Sequence, residues 1–285
     1  MFQSPSHSIT MEFQGGEPSL PFLLLQKAVE RAVELNEKYK KQITYVLCTN
    51  SVNLTEEILC LCKEYNILIS TSLDGPAFIH NHNRGKTDSY KRVIEGISKA
   101  RNYLGTDRVS ALMTTSELSL NYPKEIIDNY LSNGFNSIFL RPLNPYGLAL
   151  NNTSWDLYFE NFVTFYKLAL NYIIDINIRG DFFVEEFTAI LLRKMLTPFT
   201  TGFVDLQSPA GIINSVVVYN YDGYVYASDE SRMLAEYHDY TFRLGHVTDK
   251  YENLFYGKKA QQIALIGGTE FIAGCADCAS ILLWC

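Results

Sequence analysis

Met11-Glu12-Phe13-Gln14-Gly15-Gly16-Glu17-Pro18 is the stretch on which the reading of this chain turns. Before it, residues 9–13 alternate apolar and polar side chains, the period of a short strand. After it, residues 21–38 place apolar side chains at helical spacing. Two adjacent glycines let the backbone turn sharply and leave bare N–H and C=O groups open to something small. A carboxylate fixed beside them suits a ligand amine. A strand-to-helix turn needs the same glycines for steric reasons alone, so the motif by itself leaves both readings open.

The rest of the chain repeats this rhythm. Strands over 43–48, 67–73, 109–114 and 137–140 alternate with helices over 55–65, 89–104 and 124–133, the βα alternation of a parallel sheet. Thr55 caps the first of these helices and Gly134 ends the last. Residues 81–87 read as a polar, open segment, with His80 and His82 solvated. After Gly147 the pattern changes. Two helices, 155–174 and 182–196, precede strands over 215–219 and 224–228 that flank Asp222-Gly223, a hairpin signal. A short strand over 243–247 follows. This predicts a βα domain over 1–200 and a smaller appended domain over 201–285.

With 285 residues and 47% hydrophobic content, the chain can bury one large core and a smaller one. A net charge of −7, with no basic stripe, argues against nucleic acid as a partner. No stretch approaches the roughly 20 apolar residues that span a bilayer. The N-terminus lacks the basic start and apolar run of a secretory signal. A cytoplasmic protein is expected, with no membrane partner and with its six cysteines outside any disulfide framework.

Ligands of parallel βα folds bind at the carboxyl ends of the strands. Collecting those ends gives Gln14, Gly15, Gly16, Glu17, Thr49, Asn50, Ser72, Asp74, Thr114, Thr115 and Arg141. Hydroxyls, an amide, carboxylates and a guanidinium together suit a polar, zwitterionic ligand. Among the cysteines, Cys60 and Cys62 lie two apart in a helix and point to opposite sides, so they read as small buried hydrophobes. Cys275-x2-Cys278, with Cys285 at the last position, has a metal or iron–sulfur spacing. Zinc knuckle, iron–sulfur cluster and chance stay open on spacing alone.

In their order along the chain, Phe13-Gln14-Gly15-Gly16-Glu17-Pro18, Thr49-Asn50 and Ser70-Thr71-Ser72-Leu73-Asp74-Gly75-Pro76 resemble the radical S-adenosylmethionine (SAM) enzymes that modify peptides and proteins. The SPASM-type maturases, including anaerobic sulfatase-maturing enzymes, are similar. Further matches lie in His80-Asn81-His82-Asn83-Arg84, Ile138-Phe139-Leu140-Arg141-Pro142-Leu143-Asn144-Pro145-Tyr146-Gly147 and Val217-Val218-Tyr219-Asn220-Tyr221-Asp222-Gly223. Together they resemble the His-Xaa-Ser-system radical SAM maturases over about residues 8–280.

The resemblance implies a partial (β/α)6 TIM-like barrel of the radical SAM type, lacking its first strand, followed by a small, incomplete SPASM-like domain. It implies maturation of a ribosomally made peptide or protein by hydrogen abstraction, with S-adenosylmethionine and a 4Fe–4S cluster as cofactors. A peptide or protein substrate, and a second maturase, are the implied partners. Glu17, with Gly15 and Gly16, would receive the methionine amino group, with Gln14 beside it. Ser72 and Arg92 would contact the ribose and carboxylate end, and Leu140 would line the adenosine pocket. Asn50 and Asp74 complete the implied cofactor-binding set. Cys275, Cys278 and Cys285 would be metal ligands.

This sequence also departs from the family pattern. The CxxxCxxC motif that holds the catalytic cluster is absent; only 14 residues precede Gly15 and none is cysteine. Ser228 stands where many SPASM proteins place cysteine. The expectation is therefore a fragment of such an enzyme. Two rivals are an inactive remnant that binds a peptide partner and an unrelated βα-barrel enzyme with a zinc-binding tail.

Overall fold

Strand β1 (Ser8–Phe13) runs out to the two glycines, and helix α1 (Phe22–Tyr39) brings the chain back to β2 (Gln42–Thr49), parallel to β1. The computed structural model describes residues 1–85, 87–146, 154–207 and 210–278. The step repeats twice more. Helix α2 (Glu56–Glu64) leads to β3 (Leu68–Ser72), and α3 (Ala77–Arg84) with α4 (Ser89–Leu104) leads to β4 (Val109–Leu112). The strands order β1-β2-β3-β4, all parallel, so their carboxyl ends line one edge.

Period-two side-chain alternation decides which face is covered. Leu47, Ile69, Val109 and Ala111 are buried and join Val29, Ile58, Leu59, Ile97 and Ile126 in one apolar cluster. The opposite face carries Cys48, Ser70 and Ser110, register partners on adjacent strands and none of them fully buried. β1 is one of the sheet's two edge strands, and no residue in it is fully buried.

Helix α5 (Pro123–Ser132), β5 (Ser137–Ile138), the long α6 (Trp155–Ile178) and β6 (Val184–Glu185) follow. β5 and β6 form a separate parallel pair, and one isolated parallel bridge, Thr115 to Pro142, joins the ends of β4 and β5. The chain divides into two compact units, Met1–Leu143 with Ser154–Glu186, and Asn144–Thr153 with Phe187–Cys285. The second contains α7 (Glu186–Leu196) from its second residue onward, β7 (Val218–Tyr219), β8 (Tyr224–Tyr226), α8 (Asp229–Ala235), β9 (Arg243–His246), α9 (Tyr251–Tyr256) and α10 (Lys258–Ile266). β7, β8 and β9 form an antiparallel sheet, and Gly223 turns the first hairpin at φ +81°.

The caps expected from sequence are in place. Thr55 Oγ1 accepts the Ile58 N–H, and Gly134 stands at φ +70° after α5. Two segments differ from expectation. Residues 77–84 are the helix α3, not an open segment. Pro76 precedes this helix and Gly85 ends it in the left-handed region, while its composition, AFIHNHNR, buries only Ile79 and His80. Residues 184–185 are a strand, so the helix expected from 182 starts at Glu186. Asp229 and Glu230 occupy the first turn of α8, where Ser228 caps the helix by accepting the Ser231 N–H.

Candidate functional site

Gln14, Gly15 and Gly16 lie exposed at the carboxyl end of β1. Gly15 has φ +126°, and a side chain on either glycine would meet open space, so the backbone there is bare. Glu17 then turns back across the sheet. Its Oε1 accepts the Ser19 hydroxyl at 2.6 Å, the Ser19 N–H at 3.2 Å and the Thr49 hydroxyl at 2.6 Å. Oε2 accepts the Asn50 N–H at 2.8 Å. A carboxylate has about four lone-pair sites, two on each oxygen. These bonds leave acceptor capacity at Oε2 of a residue that directly follows the bare glycines.

Two other residues of the predicted set, Asn50 and Ser72, fall on the same edge, and Arg92 is placed apart from them. Asn50 is exposed directly after β2, and its side chain accepts the Val52 N–H. Ser72 is half-buried at the end of β3. Arg92, half-buried near the start of α4, faces the loop after Asn50 across a cavity of about 390 Å³ that residues 51–55, Glu95 and Lys99 also line. The predicted glutamate, amide and hydroxyl thus belong to one strand-end rim, whereas the guanidinium of Arg92 lines a cavity that none of these three residues lines.

Asp74 sits differently. It is fully buried and takes a bidentate pair from Arg84, with Nε to Oδ2 and Nη2 to Oδ1 each 2.8 Å, and the Thr114 N–H at 3.0 Å. Its own N–H donates to His80 Nδ1 at 3.2 Å. Tyr130 donates its hydroxyl to the Leu73 carbonyl at 2.6 Å, and burial pushes that hydroxyl well above its usual value. Asp74 therefore braces the turn that follows Ser72. His80 is 3% exposed within α3, which corrects the solvated-loop reading.

Burial pulls the His80 imidazole below its ordinary 6.5, opposed by Asp74 and aided by Arg84. The unfolded chain then binds a proton at higher pH than the folded one. Stability is complete above pH 6.5 and falls as pH drops toward the folded value, by at most about 1.4 kcal/mol per pH unit. Melting curves between pH 7.5 and 5 should show this loss in the native protein and a shallower one in His80→Gln.

Leu140, expected at the ligand, is 1% exposed and part of the core cluster. Its N–H donates to Glu185 Oε1 at 3.1 Å. Glu185 is 3% exposed and was not singled out from sequence, where it stood inside an apparent helix. Cys62 is buried, and its thiol is pushed up to about 12, as a buried small hydrophobe should be. Cys60 is exposed, contrary to expectation, with its sulfur 2.9 Å from the Tyr103 hydroxyl. Cys275 and Cys278 share a turn in which the Cys278 N–H donates to the Cys275 carbonyl; Cys285 lies outside the described residues. Among the described residues, no three His, Cys, Asp or Glu side chains gather to hold a metal ion. Among them too, no helix is long and apolar enough to cross a membrane.

Comparison with known proteins places this geometry. Residues 8–139, from β1 to the end of β5, match the model of the Radical SAM superfamily. The chain has an α/β fold of the radical SAM type, with its parallel sheet. Over 167 residues it is 31% identical to an uncharacterized protein of Methanothermobacter thermautotrophicus, 58% of this chain and 60% of that one. Over 194 residues it is 23% identical to a cysteine-type anaerobic sulfatase-maturating enzyme of Clostridium novyi, 61% of this chain and 51% of that one. The chain thus spans less than two thirds of the length of these relatives. Among solved structures, native anSMEcpe with bound AdoMet has a TM-score of 0.74 at 19% identity, covering 99% of this chain and 75% of that one. The same protein with bound AdoMet and Kp18Cys peptide gives 0.72 at 18%, covering 99% and 76%.

Proposed function

We propose that the strand-end rim binds S-adenosylmethionine and that the protein serves the radical-based maturation of a peptide or protein. The observation that carries this is Glu17. Its carboxylate, on the residue after the bare Gly15-Gly16 backbone, accepts the Asn50 N–H, with acceptor capacity remaining at Oε2. In this reading Oε2 accepts from the ligand ammonium, and the glycine carbonyls supply further acceptors. Gln14 lies beside them. Asn50 and Ser72 offer an amide and a hydroxyl to the ribose. Arg92 meets the carboxylate, and the backbone that continues from Leu140, whose side chain is held in the core, borders the adenosyl pocket. Asp74 acts through the loop it braces.

When bound, S-adenosylmethionine supplies hydrogen-abstraction chemistry; the protein's part is to bind, orient and exclude water. The reductive cleavage belongs to a 4Fe–4S cluster, and the described residues offer no thiolate set for one. The second unit is SPASM-like in this reading, with Cys275, Cys278 and Cys285 as its metal-ligand candidates. A peptide substrate agrees with the peptide-bound anSMEcpe structure, and a second maturase is a further candidate partner.

Equilibrium dialysis of the full chain against S-adenosylmethionine tests the rim directly. Saturable binding is expected, weakened about tenfold or more by Glu17→Ala, the loss of a charged hydrogen-bond acceptor. No saturable binding, or unchanged binding by the variant, would remove the proposal.

A further inference from the structure

β5 and β6 are two residues each, yet the segment after β5 is held firmly, and not by a sheet ladder. At one end the Leu140 N–H donates to Glu185 Oε1 at 3.1 Å, while Glu185 Oε2 accepts the Tyr166 hydroxyl. At the other end the Leu143 N–H donates to the Tyr158 hydroxyl at 2.6 Å, and the Tyr158 O–H donates to the Thr115 carbonyl at 2.6 Å. Between them the Arg141 carbonyl accepts the Thr115 N–H at 3.2 Å. Tyr158 and Tyr166 both stand on α6.

We infer that α6 positions the adenosyl wall of the site: Tyr166 through Glu185, and Tyr158 directly, fix residues 140–143 across the break between β4 and β5. The inference rests on the S-adenosylmethionine reading above. Its physical warrant is the cost of the device. A buried carboxylate is expensive to desolvate, and an apolar residue would fill the same space more cheaply. What Glu185 adds is an acceptor aimed at one backbone N–H, beyond the reach of a two-residue ladder. Burial pushes the Tyr158 hydroxyl up to about 12, so it keeps the proton it donates to Thr115. These are positioning residues, acting on ligand through the backbone at Leu140.

The test measures binding of S-adenosylmethionine and of 5′-methylthioadenosine, which carries only the adenosyl half, alongside melting curves of the full chain. Glu185→Leu should weaken both ligands equally, by about tenfold. Glu185→Gln keeps an oxygen for the Leu140 N–H and should recover affinity to within about threefold. Tyr166→Phe, which changes no charge, should fall between them and serves if Glu185→Leu does not fold. A role in stability alone would shift melting and leave both affinities of the folded protein unchanged, and that result would overturn the inference. Failure of the native chain to bind either ligand would instead overturn the S-adenosylmethionine reading on which it rests.

Discussion

Replacing Gly96 with alanine is expected to lower the melting temperature of the first unit by about 9 °C and to weaken ligand binding at the rim with it. Gly96 lies inside α4, and a Cβ there would sit 1.9 Å from the Ser51 carbonyl oxygen and 2.8 Å from its carbon. Both atoms are backbone, so no rotamer change relieves the clash. Ser51 has little freedom to retreat. It is fully buried, held at φ +56°, and its N–H donates to the Thr49 hydroxyl. That hydroxyl in turn donates to Glu17. Nearby, Lys99 on the same helix donates to the Leu54 carbonyl at 2.7 Å and pins the far side of the loop. Either α4 lifts off or the Glu17–Thr49–Ser51 chain shifts. Overpacking of this kind costs about 3 kcal/mol, and each kcal/mol moves the midpoint about 3 °C in a unit of this size. Gly16→Ala is the control, because a Cβ there meets nothing within 4 Å. Melting of Gly96→Ala at the native temperature would show that the loop yields freely.

That prediction depends on contacts no single segment of sequence announces, while the sheet itself was plain to read. β1 to β4 declare themselves because a period of two, bounded by turn residues, has few other solutions. The rim followed from those strands, since parallel order puts Glu17, Asn50 and Ser72 at one edge. The helix α3 was hidden by its composition. Histidine and asparagine at 80–83 read as solvated, and only the Asp74 turn, folded back on them, makes His80 a buried acceptor. Glu185 was hidden by distance. Forty-five residues separate it from Leu140, and no local period encodes a bond whose partner depends on the path of α6. Cys60 misled in the other direction: helix phase puts it opposite the buried Cys62, where it is exposed.

The second large effect belongs to the Asp74–Arg84 pair, and there the two halves should not be equal. Asp74 is fully buried, whereas the Arg84 side chain is 37% exposed. Arg84→Ala leaves a carboxylate in the interior with the Thr114 N–H at 3.0 Å and His80 Nδ1 3.9 Å from Oδ2. Asp74→Ala leaves an arginine that can turn to water and one orphaned N–H. Breaking a buried pair costs about 3–5 kcal/mol, so Arg84→Ala should lie near the top of that range and Asp74→Ala near the bottom. The double variant should cost less than the sum by about 2 kcal/mol, because the stranded carboxylate is gone. pH separates the cases further. Arg84 is one of the causes that hold His80 below its ordinary 6.5, and Asp74 pulls it the other way. Without Arg84 the imidazole takes a proton more readily and becomes the counter-charge Asp74 has lost. The folded His80 value then rises toward or past 6.5, so the loss of stability on acidification shrinks. The deficit of Arg84→Ala relative to the native chain should therefore narrow between pH 7.5 and 5.5. That of Asp74→Ala, which takes away the group that favours imidazolium, should show no such recovery. Denaturant melts of the three variants at these two pH values decide it, and equal deficits at both for Arg84→Ala would mean that His80 does not answer to this pair.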